Sequence, residues 1–162
     1  MNTGFNRRIL RNPIHLLAFG FGSGLAPKAP GTAGTLAAVP LYLLLNQLPL
    51  NAYLLLLIVA FGFGIWLCEA SSRALGVHDH GGIVWDEFVG YWITMVAAPP
   101  GWQWVVVGFL LFRLFDILKP FPINWLDRRI GGGLGIMLDD AVAGTFAWFC
   151  LQLAVLAGGF AA

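Results

Sequence analysis

The chain has 162 residues, 59% of them hydrophobic, and carries only nine Lys/Arg and eight Asp/Glu. A soluble domain devotes about 25% of its residues to charge, so an ordinary water-facing fold is excluded, and the mean hydropathy of +0.79 agrees. A net charge of +1 without a basic stripe excludes the electrostatic footprint of a nucleic-acid binder, and Cys68 and Cys150 form neither a CxxC zinc ribbon nor a disulfide framework.

From the N-terminus, Arg7, Arg8 and Arg11 resemble the positive region of a signal peptide. However, His15, the glycines at 20, 22 and 24 and the prolines at 13, 27 and 30 leave no uninterrupted apolar stretch. The tail is therefore expected to be retained, and a re-entrant or interfacial glycine-rich loop to about Thr32 follows it. Residues 29–68 are 40 consecutive uncharged positions. A membrane-crossing helix needs about 20 apolar residues, so this run predicts two spans, roughly 33–48 and 52–69, with a turn at Asn46–Asn51. A polar loop from Arg73 to Trp85 comes next. The 25 uncharged residues 88–112 are interrupted by Pro99-Pro100-Gly101, which disfavours a continuous helix and predicts shorter segments at 86–98 and 102–118. A second polar loop runs to Leu138, and a last span is predicted at 141–160. With the break at the prolines, Arg7, Arg8, Arg11, Lys28, Arg73, Arg113, Lys119, Arg128 and Arg129 share one side, the cytoplasmic side by the positive-inside rule. The reading is an all-α integral membrane protein, with about five membrane-embedded helices in one domain over 1–162.

All eight acids lie between Glu69 and Asp140, and Asp79, Asp86, Glu87, Asp116, Asp139 and Asp140 sit where polar loops meet apolar segments. Gly82-Ile83-Val84-Trp85-Asp86-Glu87-Phe88-Val89 is echoed by Gly135-Ile136-Met137-Leu138-Asp139-Asp140-Ala141-Val142. The echo implies one local geometry used twice, with a glycine-rich stretch delivering two acids to a helix start. Neighbouring carboxylates at an interface need compensation. Capping an N-terminus, worth about 0.3–1 kcal/mol, explains one acid per helix but not two. Two matching pairs favour a cation site, and oxygen-only donors suit Mg²⁺. The candidate ligands are Asp86, Glu87, Asp116, Asp139 and Asp140.

Arg113, Asp116 and Lys119 share a helical face that Pro120 ends. They form either an interfacial salt bridge with snorkelling ends, or a set in which Asp116 meets the metal while Arg113 and Lys119 meet a phosphate. Arg128 and Arg129 read as topology signals or lipid-headgroup contacts. The glycine-rich loop is neither a Walker A sequence nor GxGxxG. It either lies along the surface or offers backbone N–H groups to an anion, with Ser23, Thr32 and Thr35 as candidate contacts. His78-Asp79-His80 allows zinc or acid/base chemistry; the surrounding acids favour a harder ion, leaving one histidine near a leaving group and the other structural. His15 reads as an interfacial polar residue, and Trp85, Trp102 and Trp104 as an aromatic belt.

The stretches Gly20–Thr35, Val77–Gly90, Phe112–Pro120 and Gly132–Asp140 together resemble the bacterial phosphatidylglycerophosphatase A family over nearly the whole chain. The resemblance implies an all-helical, multi-pass, Mg²⁺-dependent lipid phosphatase of the bacterial inner membrane, with its site facing the cytoplasm. Its substrate would be phosphatidylglycerophosphate, cleaved to phosphatidylglycerol. On this reading Asp86, Glu87, Asp139 and Asp140 hold one or two Mg²⁺ ions with Asp79 or Asp116 completing the shell, Arg113 and Lys119 bind the phosphate, and His80 or His78 protonates the leaving oxygen. An aspartyl-phosphate intermediate is an open alternative, and so is a homo-oligomer. The rival reading is a small transporter or channel whose carboxylates bind cations, but such a path needs acids near the bilayer midplane rather than at one interface.

Overall fold

A computed structural model describes residue 9 and residues 11–77 and 80–158. Arg7, Arg8, His78, Asp79 and the predicted end of the last span lie outside the described residues. Within them the regular structure is helical throughout. It comprises α1 Pro13–Ala18, a 3-10 turn Gly20–Leu25, α2 Pro30–Leu45, α3 Leu50–Leu75, α4 Trp85–Thr94, α5 Trp102–Leu118, α6 Ile123–Arg129 and α7 Gly132–Leu156. Two helices, α3 with 26 residues and α7 with 25, are long and apolar enough to cross a membrane, and α2 is a shorter apolar helix. Large apolar side chains point outward along them, including Leu44, Leu55, Ile58, Val59, Phe149 and Leu153. Polar ones such as Thr35, Ser71, Thr94, Asp139 and Asp140 point inward. That inversion of the soluble pattern is the expected solution when the surrounding solvent is hydrocarbon.

The helices stop and restart where the sequence breaks them. Asn46–Pro49 separates α2 from α3, and the chain leaves helix at Thr94 and resumes at Trp102, past Pro99-Pro100 and a Gly101 with φ of 130°. Helix α2 lies three residues earlier than the predicted 33–48 and α4 ends four residues before 98, and larger differences follow. Helix α3 runs six residues past 69, extended by the Glu69–Arg73 pair at i,i+4 and closed by Gly76 in the left-handed conformation. The second polar loop folds a turn of its own, α6. Helix α7 begins at Gly132, nine residues before the predicted 141, because the Gly133 N–H donates to Glu69 Oε2 at 2.6 Å and so satisfies its N-terminus. Glycine at 133 also lets α7 lie on the α3 backbone, where a side chain would strike the Ile65 carbonyl.

Helix α4 is the hub. Trp85, Phe88, Val89, Tyr91 and Trp92 are all buried, with Trp85 and Phe88 stacked at 5.9 Å. Its closest crossing is with α7 at Gly90 and Gly144, where a Cβ on Gly144 would strike the Gly90 carbonyl. Small residues permit this approach, and the Thr94 hydroxyl donates to the carbonyls of both Gly90 and Gly144, at 3.0 and 3.3 Å.

Candidate active site

The Gly90–Gly144 crossing decides what lies one turn above it. Asp86 precedes Gly90 by four residues and Asp140 precedes Gly144 by four, so bringing the two glycines into backbone contact brings these carboxylates together. Glu87, in the same first turn of α4, joins them. One oxygen from each of Asp86, Glu87 and Asp140 lies within 4.8 Å of the others. Glu87 and Asp140 are 9% and 3% exposed, and their Oε2 and Oδ2 atoms are buried with no hydrogen-bond partner among the described residues. Buried, unpartnered carboxylate oxygens facing one another are costly unless a cation joins them. This trio can hold a metal ion.

Helix α5 closes the site with Arg113 and Asp116. Arg113 Nη1 pairs with Asp116 Oδ2 at 2.6 Å and lies 3.9 Å from Glu87 Oε1. The Asp116 carboxylate in turn lies against Asp140. Two acids, Glu87 and Asp116, therefore meet one guanidinium, whose Nε is buried with no hydrogen-bond partner among the described residues. From α2, Thr35 donates to the Gly31 carbonyl at 3.0 Å and accepts from Arg113 Nη1 at 3.4 Å. Glycine at 31 leaves room for these side chains: a Cβ would strike Glu87 Oε1 and stand 3.2 Å from both Arg113 Nη atoms, so a larger residue would displace them.

The structure separates other candidates from this cluster. Asp139, next to Asp140 but about 100° around the helix, accepts from Lys119 Nζ at 2.5 Å, and Lys119 also donates to Asp127 Oδ1 at 2.9 Å. Burial alone would lower the Lys119 pKa, but hydrogen bonds and charge from Asp139 and then Asp127 raise it above the ordinary lysine value. Lys119 and Asp139 thus satisfy each other beside the cluster. Ser23 donates to the Gly20 carbonyl at 2.8 Å, inside its own turn. Thr32 is half-buried in the first turn of α2, one turn before Thr35. His80 Nδ1 accepts the Gly82 N–H at 3.1 Å, and its ring packs on Phe19. His15 is buried instead of interfacial, its Nδ1 2.9 Å from Ser71 Oγ, and burial lowers its pKa.

Sequence reasoning missed Gly31, Gly90 and Gly144, which set the approach distances, and Glu69, which starts α7. The signal for two of them is the shared spacing of an acid four residues before a glycine in α4 and α7.

The family model described as phosphatidylglycerophosphatase A matches residues 16–155. The chain is 52% identical over 143 residues to the phosphatidylglycerophosphatase A of Escherichia coli K12, covering 88% of this chain and 83% of the relative. It is 49% identical to the protein of that name from Haemophilus influenzae, over 90% of this chain and 91% of the relative. A third relative, from Bacteroides thetaiotaomicron, is 40% identical over 86% of this chain and 91% of its own length, and is provisionally named a phosphatidylinositol-3-phosphatase. No solved structure matches the chain.

Proposed function

The chain belongs to the phosphatidylglycerophosphatase A family, and on that premise we propose that the α4–α5–α7 cluster is the active site of a single-domain, Mg²⁺-dependent phosphatidylglycerophosphate phosphatase. The protein hydrolyses the terminal phosphomonoester to give phosphatidylglycerol and phosphate. The observation that carries this siting is the convergence of Asp86, Glu87 and Asp140 around two unpartnered buried oxygens, with Arg113 alongside. An all-oxygen donor set of this kind fits a hard divalent cation. Asp86, Glu87 and Asp140 would hold it, with Asp116 beside them. An ion held there would supply charge neutralisation for the phosphate and a lowered pKa for a bound water.

The chain's own residues do the rest. Arg113, oriented by Asp116 and Thr35, turns its fork toward a phosphate held at the carboxylates. His80, whose Nδ1 accepts the Gly82 N–H in the neutral ring, is the candidate general acid; it would give up that bond to take on the second proton that it delivers to the leaving oxygen. His78 and Asp79 stand next to it in sequence and share that assignment as candidates. Asp139 and Lys119 act one step out, by holding α5 to α7. The turns at 46–49 and 95–101 and the chain after Asp140 carry no Lys or Arg, and this asymmetry supports a multi-pass protein of the inner membrane whose site faces the cytoplasm.

The test is phosphate release from phosphatidylglycerophosphate in detergent micelles, with Mg²⁺ or with EDTA, run beside phosphatidylinositol 3-phosphate. Wild type is expected to cleave the first substrate far faster and to stop in EDTA, and Asp86→Asn and Asp140→Asn to be inactive. Full activity in EDTA or in both variants overturns the metal assignment, and preference for the inositol lipid overturns the substrate.

A further inference from the structure

We propose that the groove between α5 and α7, directly beneath Lys119, binds an acyl chain of the substrate phospholipid while its terminal phosphate occupies the carboxylate cluster; this rests on the function proposed above. The groove is about 380 Å³ and is lined by Phe115, Thr145, Phe146, Trp148, Phe149 and Cys150. Its place in the fold follows from helix periodicity. Helices α5 and α7 run antiparallel here and meet at two rungs: Lys119 with Asp139, and, deeper, Phe115 with Phe146 at 5.8 Å. Phe115 is four residues before Lys119, and Phe146 is seven after Asp139, so both lie on the faces that carry the ion pair. The groove starts just below the charged end of the molecule and continues to Cys150, about 15 Å along α7 from Asp140 at 1.5 Å per residue.

The rim suits the polar part of a phospholipid. Lys119 has three N–H donors and gives two of them to Asp127 and Asp139. The third is available to a phosphodiester oxygen. Asp127 and Asp139 outnumber Lys119, but Arg128 and Arg129 follow Asp127 on α6, so the segment beside this rim brings two further cations. Phe121 and Trp125, exposed on the same short segment, are side chains of the headgroup level. A lipid seated here places its phosphodiester at the rim, its chain below, and its terminal phosphate within reach of α4 and α7. The groove between α3 and α4, about 450 Å³ and lined by residues such as Leu57, Phe61 and Ile93, is as uncharged on its lining as the α5–α7 groove, but no charged residue lies within four positions of its lining residues, whereas Phe115 is next to Asp116 and four positions before Lys119. Nothing there would hold a headgroup.

Two measurements test the groove. Thr145→Trp and Cys150→Trp fill it without touching the cluster. Each is expected to raise KM for diacyl phosphatidylglycerophosphate about tenfold at unchanged kcat, and to leave kcat/KM for the deacylated, water-soluble headgroup unchanged. Equal losses on both substrates, or none on the lipid, overturn the proposal. The second measurement needs no turnover. Cys68 is fully buried, so N-ethylmaleimide labelling of wild type in micelles reports Cys150. A phosphonate analogue of the diacyl substrate should slow this labelling severalfold relative to phosphatidylcholine at the same mole fraction. Equal protection by phosphatidylcholine identifies a crevice for bulk lipid and overturns the proposal. If wild type cleaves neither substrate, the functional assignment fails by itself, and labelling still decides the groove.

Discussion

Two adjacent acidic pairs, Asp86-Glu87 and Asp139-Asp140, follow nearly the same sequence pattern and end in different places. The first pair stands in the opening turn of α4, because Ile83 and Val84 give their N–H groups to the carbonyls of His80 and Ala18 and keep the chain out of helix until Trp85. The second pair sits two turns inside α7, because Glu69 caps that helix early. At a helix start both acids reach the same buried cluster. Inside a helix, neighbours diverge by about 100°, so Asp140 turns in to the cluster and Asp139 turns out to Lys119. Adjacent acids at the same spacing from a preceding glycine thus acquire different chemistry from where the helix begins.

The largest expected effect separates the members of the second pair. Asp140→Asn should lower kcat/KM on the order of 10³-fold, the scale of losing one preorganised electrostatic group, and abolish Mn²⁺ binding followed by electron paramagnetic resonance. Asp139→Asn should retain Mn²⁺ binding and lose no more than about tenfold, as for an outer-shell partner. Equal losses would mean that the two acids share one role. Next, Lys119→Met leaves Asp139 buried without a cation and should cost about 3 kcal/mol, reduced somewhat by the partial exposure of Lys119. Thermal unfolding in detergent measures this, and Lys119→Met/Asp139→Leu should recover much of the loss. Gly144→Ala forces a methyl against the Gly90 carbonyl. It should cost about 1–3 kcal/mol of stability and reduce activity beyond that by moving Asp140 from Asp86. The smallest effect is at the start of α7: Glu69→Gln, which weakens the bond to Gly133, should cost about 0.5–2 kcal/mol with kcat of the folded enzyme unchanged.

The fold was legible where composition alone decides it. Long uncharged runs, a turn at Asn46–Pro49 and a break at Pro99-Pro100-Gly101 are local properties, and helices stop there in any tertiary context. The start of α7 was not legible, because three glycines within four residues argue against helix and the group that reverses this, Glu69, is 64 residues away. The site was half legible. Its residue types and the short acid-rich segments stood out in a chain with so few charges, but pairing them required knowing which helices cross. Arg113 and Lys119, two turns apart on one predicted face, looked equivalent; Arg113 lies among Glu87, Asp116 and Thr35, whereas Lys119 is held by Asp127 and Asp139.

By itself, the sequence determined that the chain is built of long uncharged apolar runs and that its few acids stand where those runs meet polar loops. Those are properties of residue type and of runs of about 20 residues, which no later packing can change. The tertiary structure decided which of the acids meet. That depends on a crossing between Gly90 and Gly144, 54 residues apart, where the absence of two side chains lets two backbones touch and carries Asp86 and Asp140 to the same point.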